Sequence, residues 1–166
     1  LTDIIVKRGI ATEEDIARIV RLSCDLAILG KKVAGRAGQI SAAVSWFVPK
    51  AHTPFGWLGQ RPIEYFEQAR GLILDEKKKL RAKFLQFKFH DIRRSILESA
   101  IGRGDRRCGA VIEAAWRGGA TFDLWDECFD YSVWREAFGK FGMDVESAAQ
   151  RQFERDEILP WEHLGG

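Results

Sequence analysis

The stretch Gln39–Phe55, QISAAVSWFVPKAHTPF, decides the fold of this chain. Every second residue from Ile40 to Val48 is apolar, and this period of two predicts a strand over residues 39–48 with at least one buried face. Pro49 ends the strand, because proline cannot donate to a ladder and biases its predecessor toward extended geometry. A cation, an imidazole and a hydroxyl follow in the loop. Such a strand exit is where α/β proteins usually bind a ligand, although it also occurs as a packing corner.

The elements around this stretch alternate between strands and helices. An apolar run over residues 2–6 predicts a strand, and Thr12, followed by acidic residues, predicts the N-cap of a helix that ends at Gly30. The order strand, helix, strand favours a parallel pair. Downstream, the spacing of apolar residues predicts a helix over 62–79 and a second clear strand over 85–89.

The last part of the chain is predicted to be helical. The expected elements are a helix over 92–101 capped by Asp91, a helix capped by Asp105 and ended by Gly118-Gly119, a helix capped by Ser132, and a short helix over 143–153. A loop over 121–129 carries several carboxylates. We expect them to pair with Arg103, Arg106 or Arg107, since their spacing does not suit a metal.

The composition is that of an ordinary globular protein, with 46% hydrophobic and 30% charged residues. The formal charge of +2 is too small to indicate binding to nucleic acid or to a membrane, and no apolar run approaches the roughly 20 residues of a membrane span. The three cysteines, Cys24, Cys108 and Cys128, are odd in number and widely spaced. They argue against a disulfide framework and for a reducing, cytoplasmic compartment.

Residues 47–57, FVPKAHTPFGW, carry a resemblance to a known family. The segment resembles F-V-P-K-P-H-T-P-F-Q-W of radical S-adenosylmethionine (SAM) proteins that also carry a B12-binding domain. Ala51 stands where the family has its second proline, and Gly56 stands where it has glutamine. In that family the segment is a late strand of the partial (β/α) barrel and the loop that leaves it.

Further segments are similar to the same family, in the same order along the chain. Residues 9–16, GIATEEDI, are similar to the turn G-L-P-T-E-T-D-E-D-I, but with Ala11 for the proline and two residues fewer. Three later segments, RGDRR at 103–107, GATFDLW at 119–125 and LPWEH at 159–163, are similar to R-G-D-R-R, G-A-x-F-D-x-W and L-P-W-D-H. The resemblance therefore covers nearly the whole chain.

The resemblance implies an α/β fold: residues 1–90 would be the end of a partial (β/α) barrel and 91–166 an α-rich extension. It implies SAM and a [4Fe-4S] cluster as cofactors of the full-length protein, with cobalamin as a further possibility. Cluster iron needs three converging thiolates, usually from C-x-x-x-C-x-x-C, and the cysteines of this chain lack that spacing. We therefore expect a fragment, beginning at Leu1, whose partners are the rest of the barrel and a B12-binding domain.

The resemblance also implies a binding site in the loop that follows the predicted 39–48 strand. The residues expected near the adenosine of SAM or the substrate are Phe47, Val48, Pro49, His52 and Thr53. His163 and Trp161 could close the substrate side. No catalytic residue and no metal ligand is assigned, and the chain alone is not expected to be active or to bind a cofactor by itself.

Several alternatives remain open at this point. His90 and Asp91 could form an acid/base pair, although neighbouring strand residues point to opposite faces. The glycine-flanked Arg103–Arg107 turn could bind a phosphate or a carboxylate. The basic helix end at 77–79 favours a solvated surface over nucleic-acid binding. The chain could also be a non-catalytic interaction module derived from the family, or an RNA-binding domain with steeply salt-dependent affinity.

Overall fold

The computed structural model describes residues 12–36 and 38–164 in full and the backbone of Ile4–Ile5. Residues 2, 3 and 6 of the predicted 2–6 strand and residues 9–11 of the 9–16 turn lie outside the described residues. The chain forms two compact units, of which the first comprises Leu1–Phe47 with Ile63–Ile92 and the second comprises Val48–Pro62 with Arg93–Gly166. Strand residues 40–45 and the loop that leaves them thus fall into different units.

The regular elements follow one another in a simple order. In the first unit they are β1 (Ile4–Ile5), α1 (Glu13–Ala34), β2 (Ile40–Ser45), α2 (Ile63–Lys79) and β3 (Leu85–Phe89). The later elements are α3 (Ile92–Gly102), α4 (Arg107–Arg117), α5 (Tyr131–Lys140), α6 (Val145–Gln150) and a 3₁₀ turn at Glu162–Leu164. The chain is therefore mixed α/β and mostly helical, as the α/β prediction states in its coarse form.

The strands of the first unit form one parallel sheet in the order β1-β2-β3. Ile40 lies opposite Leu85 and Val44 opposite Phe89, while Ile4 pairs with Val44 on the other side. The predicted parallel pair is confirmed. Three strands do not close a barrel, so the partial barrel and the boundary at residue 90 stay predictions.

The core of the first unit lies on the apolar side of β2. Val44 and Trp46 are buried, as the period of two predicts. The ring centroid of Trp46 lies 5.3 Å from that of Phe66 on α2 and 6.0 Å from that of Phe89 on β3. The indole N–H of Trp46 donates to the carbonyl of His90 at 2.7 Å, which satisfies the one polar atom of this buried ring.

Helix α1 begins as predicted and ends later than predicted. Thr12 and Asp15 form a reciprocal capping box, in which the Asp15 N–H donates to the Thr12 hydroxyl at 3.2 Å. The predicted end at Gly30 is wrong, because the helix continues to Ala34. Gly35 has φ +70° and its N–H donates to the Lys31 carbonyl, so Gly35 closes the helix in the left-handed conformation.

The second unit contains α3 to α6 and the loop over 48–62. Its core contains buried side chains from these helices, among them Ile96, Val111, Ala115, Phe138 and Val145. The predicted ends of α2 at Lys79 and of α4 at Gly118 are confirmed. None of the helices in the described part of the chain is long and apolar enough to cross a bilayer.

Two predicted helix starts in the second unit need correction. Asp130, and not Ser132, caps α5: the Asp130 carboxylate accepts from the Ser132 N–H at 2.8 Å and from its hydroxyl at 2.6 Å. Arg106 occupies the N-cap position of α4, while Asp105 accepts from the Arg107 N–H at 2.9 Å. A carboxylate therefore serves each start, but the N-cap position lies two residues before the predicted one in α5 and one residue after it in α4. The predicted 143–153 helix is shorter, since α6 ends at Gln150.

Candidate functional site

The loop after β2 folds back on itself over Lys50–Leu58. The Thr53 hydroxyl donates to the Lys50 carbonyl at 2.8 Å, and the Gly56 N–H donates to the Thr53 carbonyl at 2.9 Å. The Leu58 N–H continues the turn by donating to Phe55 at 3.0 Å. The Lys50 ammonium pairs with the Glu98 carboxylate on α3. These contacts give the loop a defined backbone in the second unit.

His52 sits at the turn of this loop in an unusual backbone conformation. Its φ is 57°, in the left-handed region, which costs a residue other than glycine about 1–2 kcal/mol. Its imidazole and the Thr53 side chain are exposed, so both can meet a ligand. Strain held in an exposed histidine is the kind of local feature that clusters at binding sites.

The other predicted SAM contacts are less accessible. Pro49 is buried, Val48 is half-buried, and both belong to the second unit. Phe47 is also half-buried and belongs to the first unit. Within the second unit, then, the loop presents His52 and Thr53 to solvent and keeps its apolar positions largely covered.

Arg103 organises the second unit. Its guanidinium donates to three backbone carbonyls from two segments: to Gly56 at 3.2 Å in the loop over 48–62, and to Ala149 at 3.0 Å and Arg151 at 2.6 Å at the end of α6. The Arg103 Cζ also lies 4.7 Å from the ring centroid of Phe153. Arg103 is only 2% exposed. Arg103 thereby satisfies the Gly56 and Arg151 carbonyls, while the Ala149 carbonyl also accepts from the Gln60 N–H at 2.9 Å.

Burial without a carboxylate affects the protonation of Arg103. Desolvation, and secondly the charge of Arg151, lower its pKa to about 10. Among the described residues, the hydrogen-bond acceptors of Arg103 are carbonyl oxygens and no carboxylate pairs with it. The site therefore holds a buried positive charge that only backbone dipoles and an aromatic ring offset.

An aromatic cluster completes this arrangement. Phe153, Leu159 and Trp161 are buried together, and Ala51 and Trp57 of the loop pack against them. The rings of Phe153 and Trp161 meet edge to face with centroids 5.5 Å apart. The Phe153 N–H donates to the Trp57 carbonyl at 3.0 Å. Trp161 is therefore a packing residue, whereas His163 is exposed.

The residues near the Arg103–Arg107 turn make ion pairs other than those expected. Arg107 pairs with Asp105 at 2.8 Å, and this contact together with the Arg107 N–H lowers the pKa of the Asp105 carboxyl. Asp126 of the acidic loop pairs with Arg94 at 2.7 Å. The expected pairing of that carboxylate with Arg103, Arg106 or Arg107 is wrong, because Asp126 pairs with Arg94, while Arg107 pairs with Asp105 and Arg103 donates to carbonyls.

The GATFDLW segment at 119–125 lies mostly on the surface. Phe122 has φ 56° and is 76% exposed, and Leu124 is 91% exposed. Trp125 is also exposed, and its N–H donates to the Phe122 carbonyl at 2.9 Å. This segment does not join the aromatic cluster.

The cysteines and the remaining histidine do not form a metal site. In residues 12–36 and 38–164, no three His, Cys, Asp or Glu side chains converge in a way that could hold a metal ion. Burial raises the pKa of the Cys108 thiol, and burial and the charge of Asp25 raise that of Cys24. Cys128 is exposed. His90 and Asp91 are exposed, and their pairing stays a prediction.

Comparison of the chain with protein-family models, with curated proteins and with solved structures gave no match. Sequence reasoning missed the central role of Arg103, which it treated as a possible anion ligand of a surface turn. The only signal was the resemblance itself, since no local pattern distinguishes a buried arginine from an exposed one.

Proposed function

We propose that this chain is the C-terminal part of a radical SAM enzyme of the type that carries a B12-binding domain. In this proposal it contributes one wall of the SAM and substrate site. The cluster-binding cysteines and the cobalamin domain lie on other sequence, in the same gene product or a separate chain.

The observation that carries the proposal is the convergence of three separate family-like segments. Arg103 of the RGDRR segment bonds the Gly56 carbonyl of the FVPKAHTPFGW segment. Ala51 and Trp57 of that first segment pack against Leu159 and Trp161 of the LPWEH segment. Short motifs that match by chance have no reason to touch one another. Segments that belong to one ancestral fold are expected to be in contact, so these contacts favour a common origin of the three segments.

The strand order gives further support. Successive strands of a (β/α) barrel are neighbours and parallel, with a helix after each strand. The order β1-β2-β3 follows that rule, with α1 and α2 as the intervening helices. Doubly wound sheets reverse direction at a switch point, and these strands contain no such reversal.

In the proposed site the loop residues bind rather than react. Phe47 and Val48 would offer apolar and backbone contacts to the adenosine of SAM. The exposed imidazole of His52 can donate or accept a hydrogen bond. The Thr53 hydroxyl donates its proton to Lys50, so it can only accept from a ligand. The described residues do not converge to hold a [4Fe-4S] cluster, and no radical step is assigned to them.

The first test is the coding sequence on the N-terminal side of Leu1. A C-x-x-x-C-x-x-C motif in the same reading frame supports the proposal. A start codon immediately before Leu1 contradicts the single-gene form of it. This observation requires no assumption about substrate.

The second test measures SAM binding by calorimetry on the anaerobically reconstituted product that includes the cluster motif. His52→Asn is the informative variant, because asparagine tolerates the left-handed backbone and so removes the imidazole without adding strain. We expect a loss of about tenfold in SAM affinity, the value of one good hydrogen bond to a ligand. Lys32→Gln, on the exposed end of α1, is the matched control and should leave affinity unchanged.

One observation favours a second candidate, an interaction module without catalysis. Phe122, Leu124 and Trp125 expose large apolar side chains within four residues, and clustered apolar exposure marks interaction surfaces. This candidate predicts that the complete gene product lacks a cluster motif and gives no heat of SAM binding.

A further inference from the structure

The second unit contains a cavity of about 250 Å³ that the proposed function does not use. It is lined by the junction of α3 and α4, by parts of α5 and α6, and by the segment that follows α6. Ligand pockets for drug-sized molecules measure about 300–1,000 Å³. A cavity of this size therefore suits a smaller molecule.

The charged residues of the lining carry an excess of positive charge. Three arginines, Arg103, Arg107 and Arg151, line the cavity together with two aspartates, Asp105 and Asp144. Both aspartates are already engaged, and Arg151 pairs with the Glu157 carboxylate. Asp105 pairs with Arg107, and Asp144 accepts from the Ser147 N–H at 2.7 Å as the cap of α6. The charge left without a carboxylate inside the cavity is that of Arg103.

Arg103 retains hydrogen-bonding capacity after its structural contacts. A guanidinium has five N–H groups, and three of them donate to carbonyls here. Its lowered pKa reflects burial and the nearby charge of Arg151. An anion beside Arg103 would offset both effects. Arg151 also contacts the Phe153 ring, since its Cζ lies 4.7 Å from the ring centroid.

Apart from Ser147, the rest of the lining is apolar. Ala100, Phe138, Met143 and Ala148 contribute to the cavity, as does Phe153. An inorganic anion would leave these side chains against water. A molecule with one anionic group and a compact apolar body would satisfy both parts of the lining. A planar carboxylate matches the fork geometry of guanidinium groups better than a point-like anion does.

We propose that this cavity binds a small organic carboxylate, with its head group against the arginines and its apolar body against Phe138, Met143 and Phe153. The site is separate from the loop assigned to SAM, so it does not depend on the proposed function. Arg103 serves two purposes in this arrangement, since it joins the Gly56 loop to the end of α6 and supplies charge to the ligand.

The test is to titrate the 166-residue chain with phenylacetate and to monitor binding by changes in amide chemical shifts and by calorimetry. Phenylacetate carries a carboxylate on a compact apolar body. The neutral isostere 2-phenylethanol and inorganic phosphate are titrated in parallel. We expect saturable shifts at α4 and α6 residues that line the cavity with phenylacetate, and binding at least about tenfold weaker with either of the other two probes.

Two variants localise the binding. Ala148→Met fills the cavity without changing its charge and is expected to reduce affinity at least about tenfold. Arg151→Gln removes one cation and is expected to reduce it by about fivefold or more. Arg117→Gln is the matched control, because Arg117 is an exposed arginine on α4 that pairs with Glu113 outside the cavity. It should leave affinity unchanged.

Each contrary outcome overturns a stated part of the proposal. Equal binding of 2-phenylethanol would overturn the role of the carboxylate, and preferential binding of phosphate would overturn the organic ligand. The absence of saturable shifts at the lining residues would overturn the site itself. If Ala148→Met does not fold, equal affinities of Arg151→Gln and Arg117→Gln would still reject it.

Discussion

In the first unit the buried side chains are mainly apolar and lie on regular elements, whereas in the second unit a buried arginine holds irregular backbone. Trp46, which directly follows β2, packs against Phe66 of α2 and Phe89 of β3. Arg103 instead pairs the carbonyls of Gly56 and Arg151, which no ladder or helix satisfies. Regular elements leave side chains free to form the core, while loops need a polar side chain to complete their backbone.

The difference bears on where a site can form. A loop that is fixed by several hydrogen bonds from the Arg103 guanidinium can hold a residue with a strained backbone, such as His52, in place. The same donor leaves a buried charge that a ligand can share. In the first unit the buried Glu76 carboxylate is already paired with Arg21 at 3.1 Å, and Arg81, with φ 51°, is exposed.

The largest effect is expected from removing aromatic packing in the first unit. Phe66 is 1% exposed and lies against Trp46 and Tyr65. Phe66→Ala should lower the free energy of unfolding by about 4 kcal/mol, since it removes transfer energy and leaves a cavity. Urea unfolding followed by far-UV circular dichroism measures this. Leu29→Ala, at an exposed position of α1, should change it by less than about 0.5 kcal/mol.

The corresponding change in the second unit is Arg103→Met, expected to cost about 3 kcal/mol. Methionine restores apolar bulk beside Phe153 but leaves the Gly56 and Arg151 carbonyls without their donor. The same urea experiment applies, with Arg117→Met as the exposed control. If Arg103→Met leaves the free energy of unfolding nearly unchanged, the contrast between the two units is wrong, because burial alone would then hold these loops.

A smaller effect is expected where two backbones of the second unit touch. A Cβ added at Gly59 would lie 1.9 Å from the Gln150 carbonyl oxygen. Gly59→Ala must therefore displace backbone, at a cost of about 2 kcal/mol. Gly109→Ala is the control: it meets nothing within 4 Å inside α4 and should stabilise by about 0.5–1 kcal/mol. Thermal unfolding of both variants distinguishes close contact from glycine's general flexibility.

The smallest effect concerns a helix cap and its pH dependence. Asp144→Ala should cost about 1 kcal/mol at neutral pH, because it removes the cap of α6. The Ser147 N–H holds the pKa of Asp144 below its usual value. A carboxyl whose pKa is lower in the folded state stabilises the fold at pH values above its unfolded-state pKa of about 3.9. This contribution is lost as the pH falls from there through the folded-state pKa.

The difference between wild type and Asp144→Ala should therefore shrink below about pH 4. Asp144→Asn serves as the matched variant, because asparagine caps nearly as well and does not titrate in this range. It should stay within about 0.5 kcal/mol of wild type at pH 7 and lack the acid dependence. A constant difference across the whole pH range would show that the Asp144 carboxylate does not act through its charge.

Local chemistry predicted the elements better than their ends. The alternation around Val44, the reciprocal cap at Thr12 and the strand at Leu85–Phe89 all follow from residues close in sequence, and all are present. Gly30 did not end α1: one glycine costs a long helix only about 1 kcal/mol, and the helix continues until Gly35, whose left-handed backbone closes it. Asp130 outcompeted Ser132 as a cap because two good capping residues stood two positions apart.

The candidate site divides in the same way. The sequence predicts the turn at His52 and Thr53 and the anion-binding potential of the Arg103 turn, since both depend on residue types and short spacings. That Arg103 is buried depends on segments about 50 residues away on either side, at Gly56 and Ala149. No local pattern encodes such a meeting.

The sequence by itself determined the parallel strand–helix–strand order, the amphipathic faces and the resemblance of several segments to one family, because each depends on periodicity or on neighbouring residues. Only the tertiary structure decided that the Arg103 guanidinium is buried and bonds the Gly56 carbonyl, that Leu159 and Trp161 pack with Phe153, and that Arg103 lines a cavity. The physical reason is that hydrogen bonds between distant loops, and the exclusion of water around them, arise only once the chain has brought their partners together.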